Sequence, residues 1–111
     1  MSGLTTHILD TSRGVPAAGV AVRLEVRVAQ DWHSLTEVST DADGRARLVA
    51  SNTDLQPGDY RLCFEVENYF VDEAVQAFFP LVQVIFRVSE RRHYHVPLLL
   101  SPFGFSTYRG S

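Results

Sequence analysis

Val20-Ala21-Val22-Arg23-Leu24-Glu25-Val26-Arg27-Val28 sets an apolar residue against a small or charged one at every step. Side chains point to opposite faces along a strand, so a period of two makes one face apolar and leaves the other polar, the mark of a half-buried strand. The pattern recurs in Tyr60, Leu62, Phe64 and Val66 against Arg61, Cys63 and Glu65, and in Val82, Val84, Phe86 and Val88 against Gln83, Ile85 and Arg87. Tyr94, Val96, Leu98 and Leu100 form another such stripe, opposed by His93, His95, Pro97 and Leu99. Less regular runs over residues 5–10, 32–40 and 45–50 bring the expectation to about seven strands, with an eighth in the tail. Ser12-Arg13-Gly14, Asp41-Ala42-Asp43-Gly44 and Gln56-Pro57-Gly58-Asp59 supply turn chemistry between them. Residues 72–79 are the one expected helix, with Asp72 as N-cap, Glu73 in the first turn and Pro80 as the stop. The expected fold is an all-β sandwich carrying one short helix.

A chain of 111 residues is expected to form a single domain over 1–111, large enough to bury roughly 65% of its unfolded surface in one core. Its 45% hydrophobic and 21% charged residues are the balance of a globular domain rather than a disordered one. A net charge of −3, with the cations dispersed, leaves no basic stripe for a nucleic-acid backbone, so no nucleic-acid partner is expected. Cys63 is the only cysteine, which rules out an internal disulfide and a multi-cysteine metal cage and suits a reducing compartment. The N-terminus has neither a basic nor a long apolar stretch, and the most apolar run, residues 77–88, is broken by Pro80, Gln83 and Arg87. A cytoplasmic protein with no membrane partner is the expectation.

Polar residues out of phase with the core are the candidates for function. His93 and His95 face away from the Tyr94–Val96–Leu98–Leu100 stripe, beside Pro97 and Leu99, which are poor solvent residues; a covering subunit is the simplest reason. An imidazole at such a covered face titrates near neutrality, its reference pKa being about 6.5; a solvated surface pair is the competing reading. Arg45 follows the Asp43-Gly44 turn and is either surface charge or a fixed guanidinium for an anion or carbonyl, whereas Arg47 reads as surface charge. His7 lies in a strand of ambiguous phase, where a buried, satisfied histidine is the default. A zinc site built on the histidines is disfavoured by the neighbouring arginine and the lack of a carboxylate at ligand spacing. The tail Tyr108-Arg109-Gly110-Ser111 follows apolar and turn residues expected to anchor it, so it reads either as part of a site or as an ordinary final strand with a polar tip.

Leu4-Thr5-Thr6-His7-Ile8-Leu9-Asp10, Gly14-Val15-Pro16-Ala17, Thr40-Asp41-Ala42-Asp43-Gly44-Arg45, Gly58-Asp59-Tyr60-Arg61, Phe78-Phe79-Pro80, His93-Tyr94-His95-Val96-Pro97-Leu98-Leu99-Leu100-Ser101 and Ser106-Thr107-Tyr108-Arg109-Gly110-Ser111 together resemble the 5-hydroxyisourate hydrolases of the transthyretin-like family. The likeness spans nearly the whole chain, and the Tyr-Arg-Gly-Ser ending is what separates these enzymes from the hormone-carrying transthyretins. It implies a transthyretin-like sandwich of seven or eight strands, assembled as a homotetramer, a dimer of dimers with its active sites in a channel between subunits. It also implies hydrolysis of 5-hydroxyisourate to 2-oxo-4-hydroxy-4-carboxy-5-ureidoimidazoline in urate degradation, with no metal or cofactor. Carried over by motif, His7, Arg45 and His95 are the expected catalytic residues, and Tyr108, Arg109, Gly110, Ser111 and His93 the expected substrate-binding residues. Two other readings stand beside it: a non-catalytic carrier of an aromatic ligand, and a structural β-sandwich that docks to a larger protein.

Overall fold

The computed structural model describes residues 2–111. Ten strands and one helix follow in the order β1 (Leu4–Asp10), β2 (Val15–Pro16), β3 (Ala21–Val28), β4 (Asp31–Ser39), β5 (Arg45–Val49), β6 (Gly58–Phe64), α1 (Val66–Asp72), β7 (Val82–Val88), β8 (Tyr94–His95), β9 (Leu98–Ser101) and β10 (Gly104–Thr107). Two sheets result. One runs β4-β3-β6-β7, all antiparallel; the other runs β10-β9-β1-β2, with β5 and β8 also paired to β1. Their inner faces meet over a core of Leu4, Ile8, Val22, Leu24, Leu62, Phe64, Leu98 and Leu100, the apolar members of the alternating stripes. The expected sandwich is therefore what forms, and no helix among the described residues is long and apolar enough to cross a membrane.

The strand count exceeds the expected seven or eight because two short pairings, β2 and β8, stand as strands of their own. β8 and β9 come from the single expected run through Tyr94 and Leu100, broken at Val96 and Pro97. Proline has no N–H to give a ladder. Both pieces still lie parallel to β1, β8 opposite Leu4 and Thr5, β9 opposite Ile8 to Asp10. The Thr6 hydroxyl bridges the gap by donating to the Val96 carbonyl at 2.6 Å.

The helix is displaced from its expected place. It spans Val66–Asp72 rather than 72–79, so Asp72 ends the helix instead of capping its start, and Val66 opens it instead of closing a strand. Burial decides this: Val66, Tyr69 and Phe70, spaced i, i+3 and i+4, are buried, and no such stripe exists in 72–79. The Glu65 side chain gives no cap bond, and the chain leaves the helix where Ala74 takes a left-handed conformation with φ of 60°. Packing outweighs the local capping signal here.

Candidate active site

β1 is the spine of the site. Its inward residues Leu4, Thr6 and Ile8 are buried, which turns Thr5 and His7 to the outer face of the sheet. Two neighbours flank it. On the β5 side the register sets Thr5 against Arg47 and His7 against Arg45; on the β8 side it sets Thr5 against His95. Directly opposed residues share a face, so Arg45, Arg47, His7, Thr5 and His95 all stand on the outer surface of one sheet.

There a cleft of about 500 Å³ opens, lined by Thr5, Thr6, Asp41, Arg45, Ala46, Arg47, His93, His95 and Ser111. Arg45 is placed by its turn. The Asp41 carboxylate accepts from the backbone N–H groups of Asp43 at 2.9 Å and Arg45 at 3.0 Å, and those bonds, that of Arg45 foremost, hold it below the usual carboxylate range. Gly44 makes the turn possible: its φ is +73°, and a Cβ there would meet the Ile8 carbonyl oxygen at 2.5 Å.

His95 is the most constrained side chain of the group. Its backbone carbonyl accepts from the Gly110 N–H at 2.8 Å, and a Cβ on Gly110 would meet its ring carbon Cδ2 at 2.6 Å, so only glycine lets the tail lie against the imidazole. Nδ1 lies 2.8 Å from the Thr5 hydroxyl oxygen, which in turn lies 3.1 Å from His93 Nε2. The His93 and His95 rings stack nearly parallel, 6.5 Å between centroids and 16° between planes. Burial above all lowers the His95 pKa from 6.5, and the positive charges of His93, His7 and Arg45 push the same way, against a raising bond to the Thr5 backbone. The neutral form of His95 is accordingly favoured at pH 7.

Arg45, His93, His95 and Ser111 thus share one cleft. His7 does not line it but stands opposite Arg45 in the ladder, half-buried on the outer face rather than buried in the core. Tyr108 and Arg109 line a second, more apolar cleft of about 280 Å³ with Val84, Ile85, Phe86 and Tyr94. The tail thus divides within one chain: Tyr108 and Arg109 turn to the second cleft, while Gly110 packs on His95 and Ser111 lines the first. Arg47 lines the first cleft instead of being plain surface charge, and four residues the motifs do not single out join it, Thr5, Thr6, Asp41 and Ala46. Thr5 stands two positions before His7, which strand alternation turns to the same face; that spacing is the one sequence signal for it. Among the described residues no three His, Cys, Asp or Glu side chains gather as metal ligands.

Residues 4–110 match the model of the HIUase/Transthyretin family. The 5-hydroxyisourate hydrolase of Caulobacter vibrioides is 52% identical, the alignment covering all of both chains. The structure of Klebsiella pneumoniae 5-hydroxyisourate hydrolase superposes with a TM-score of 0.86 at 37% identity, over 98% of this chain and 99% of that one. Sea bream transthyretin, solved in complex with thyroxine, superposes with a TM-score of 0.90 at 30% identity over 97% and 94% of the two chains. With a family model spanning all but the ends and this degree of likeness over full length, the chain belongs to the HIUase/Transthyretin family.

Proposed function

We propose that this protein, as a single domain, is a 5-hydroxyisourate hydrolase, opening the six-membered ring of that oxidised purine with water. The observation that carries the reading is the cleft where Arg45, His93, His95 and Ser111 meet on a face turned away from the core. A carrier of an aromatic ligand favours apolar walls, and this cleft is lined by guanidinium, imidazole and hydroxyl groups.

Water is a weak nucleophile at neutral pH, so ring opening calls for a base. Neutral His95 takes the water proton on Nε2 as the oxygen attacks the carbonyl carbon, a role typically contributing 10²–10⁴-fold. The Arg45 guanidinium stabilises the negative charge that develops on the carbonyl oxygen and is stronger there than in the ground state. The ring C–N bond then breaks, its electron pair stays on nitrogen, and a histidine, His95 or His7, returns the proton. Arg109 and Ser111 hold the substrate's carbonyl and N–H edges, Gly110 lets the backbone approach closely, and Tyr108 and His93 complete the pocket. Because Tyr108 and Arg109 turn to a separate cleft in one chain, the complete site requires a second subunit, which fits a homotetramer. The open edges at β7 and β10 support such assembly. Free Cys63 suits a cytoplasmic setting.

The test is the absorbance decay of freshly generated 5-hydroxyisourate with wild type, His95→Ala, Arg45→Ala and a variant lacking Ser111, each also run on a sizing column. His95→Ala is expected to lose roughly 10²–10⁴-fold in kcat and Arg45→Ala on the order of 10²–10³-fold. Wild-type rates in all three would overturn the site, and a monomeric, fully active wild type would overturn the shared one.

A further inference from the structure

We infer that Thr5 is a positioning residue whose hydroxyl, set between His93 and His95, fixes which nitrogen of His95 carries the proton and leaves Nε2 as the basic one. This deepens the hydrolase reading and rests on it for its catalytic meaning.

The direction of the hydrogen bonds follows from one group that can only accept. The Ser2 carbonyl oxygen lies 3.1 Å from His93 Nδ1, so that nitrogen carries a hydrogen and donates it. In the uncharged form of His93 the lone pair is then on Nε2, and the partner 3.1 Å away is the Thr5 hydroxyl, which must donate. A hydroxyl has one hydrogen. Toward His95 Nδ1, 2.8 Å away, the same oxygen can therefore only accept, which places the His95 hydrogen on Nδ1 and the lone pair on Nε2. The opposite tautomer would set two lone pairs against each other across that short contact.

The anchor is rigid. Ser2 is 3% exposed, its N–H donates to the Ser51 carbonyl at 3.2 Å, and the next N–H, of Gly3, donates to Thr53 at 3.0 Å. Thr5 itself is held in the middle of the sheet between β5 and β8. At the other end His95 Nε2 has no bond to a described residue, and no buried side-chain nitrogen or oxygen among those residues is left without a partner, so Nε2 is reached by solvent. A base at a solvent-open cleft is thereby presented in its usable form, through a neutral hydroxyl and a second imidazole rather than a carboxylate. Thr5 has two features a spacer does not need, the hydroxyl and its place between two rings.

The experiment combines 15N NMR of the full-length protein, labelled at histidine, with steady-state kinetics on 5-hydroxyisourate for Thr5→Val, Thr5→Ser and His93→Ala. Wild type and Thr5→Ser are expected to show His95 with a protonated-type Nδ1 and a lone-pair-type Nε2, with similar kcat. Thr5→Val, nearly the same shape without the hydroxyl, and His93→Ala, without the acceptor, are expected to lose that bias. Thr5→Val should lose about 10- to 100-fold in kcat, the range for removing a histidine's orienting partner, with KM within about twofold. A wild-type His95 protonated on Nε2 overturns the inference, as does a Thr5→Val protein with unchanged tautomer and kcat. The wild-type spectrum decides even if Thr5→Val fails to fold. A wild type that has the expected tautomer yet leaves 5-hydroxyisourate untouched would instead count against the hydrolase reading alone.

Discussion

Gly110 and His95 show how little space the tail leaves at the cleft. The tail closes against the imidazole through one backbone bond of 2.8 Å, and a single added carbon would lie 2.6 Å from the ring. Backbone cannot yield easily there, because the bond and the contact involve the same residue pair, so the ring must turn. Gly110→Ala is therefore expected to lower kcat/KM by about 10²-fold, the cost of a misplacement near 1 Å. The thermal midpoint should stay within a few degrees of wild type, since no core residue moves. Parallel kinetics and calorimetry check this; equal activity of the two proteins would mean that the tail does not position His95. The same scale explains why Arg47 joins the cleft: two residues from Arg45 on one strand, it repeats the outward direction.

At the scale of elements, one buried carboxylate ties the helix to the sheet. Asp10, at the end of β1, is 1% exposed and accepts from the Tyr69 hydroxyl of α1 at 2.7 Å and from the Ser12 hydroxyl at 2.6 Å. Burial opposes its ionisation, but bonds from Ser12, Tyr69 and the Arg13 backbone outweigh it and lower its pKa. The other side of the bond is a Tyr69 phenol pushed up to about 12, first by burial and then by Asp10. A seven-residue helix without a side-chain cap depends on such tertiary ties. Tyr69→Phe is expected to cost about 1.5–3 kcal/mol, the range for a hydrogen bond to a charged group, measured by urea unfolding. A loss near zero would mean that packing of Val66 and Phe70 alone holds α1.

Across the whole molecule, acid acts in one direction. Glu25 lies on the outer face of β3 yet is 8% exposed. Burial favours its protonated form, but the guanidiniums of Arg23 and Arg61 hold it below its usual value of 4.5. Asp10 lies below 3.8 for its own reasons and His95 below 6.5. Each folded pKa is depressed, so the unfolded chain binds more protons as pH falls, and stability present above the unfolded value is lost through the folded one. The thermal midpoint is expected to begin falling as pH drops below 6.5, with a steeper fall below 4.5. Calorimetry across that range checks it, and His95→Gln should flatten only the upper limb. A midpoint that holds or rises on acidification would contradict these assignments.

Sequence alone determined the sandwich, because period-two stripes such as Val22-Leu24-Val26 leave a chain few ways to bury its apolar faces. It also determined which residues are out of phase with that core, among them Arg45, His93 and His95. Their motifs carried the family. The helix was misplaced because capping residues are a local signal, and burial of Val66, Tyr69 and Phe70 is not. Only the tertiary structure decided which out-of-phase residues meet, since that depends on register between distant strands. Thr5 acquires its partners because β5 pairs with one side of β1 and β8 with the other. Nothing local to residues 4–10 encodes that, nor the turn of the tail that lays Gly110 on His95 and sends Tyr108 and Arg109 to another cleft.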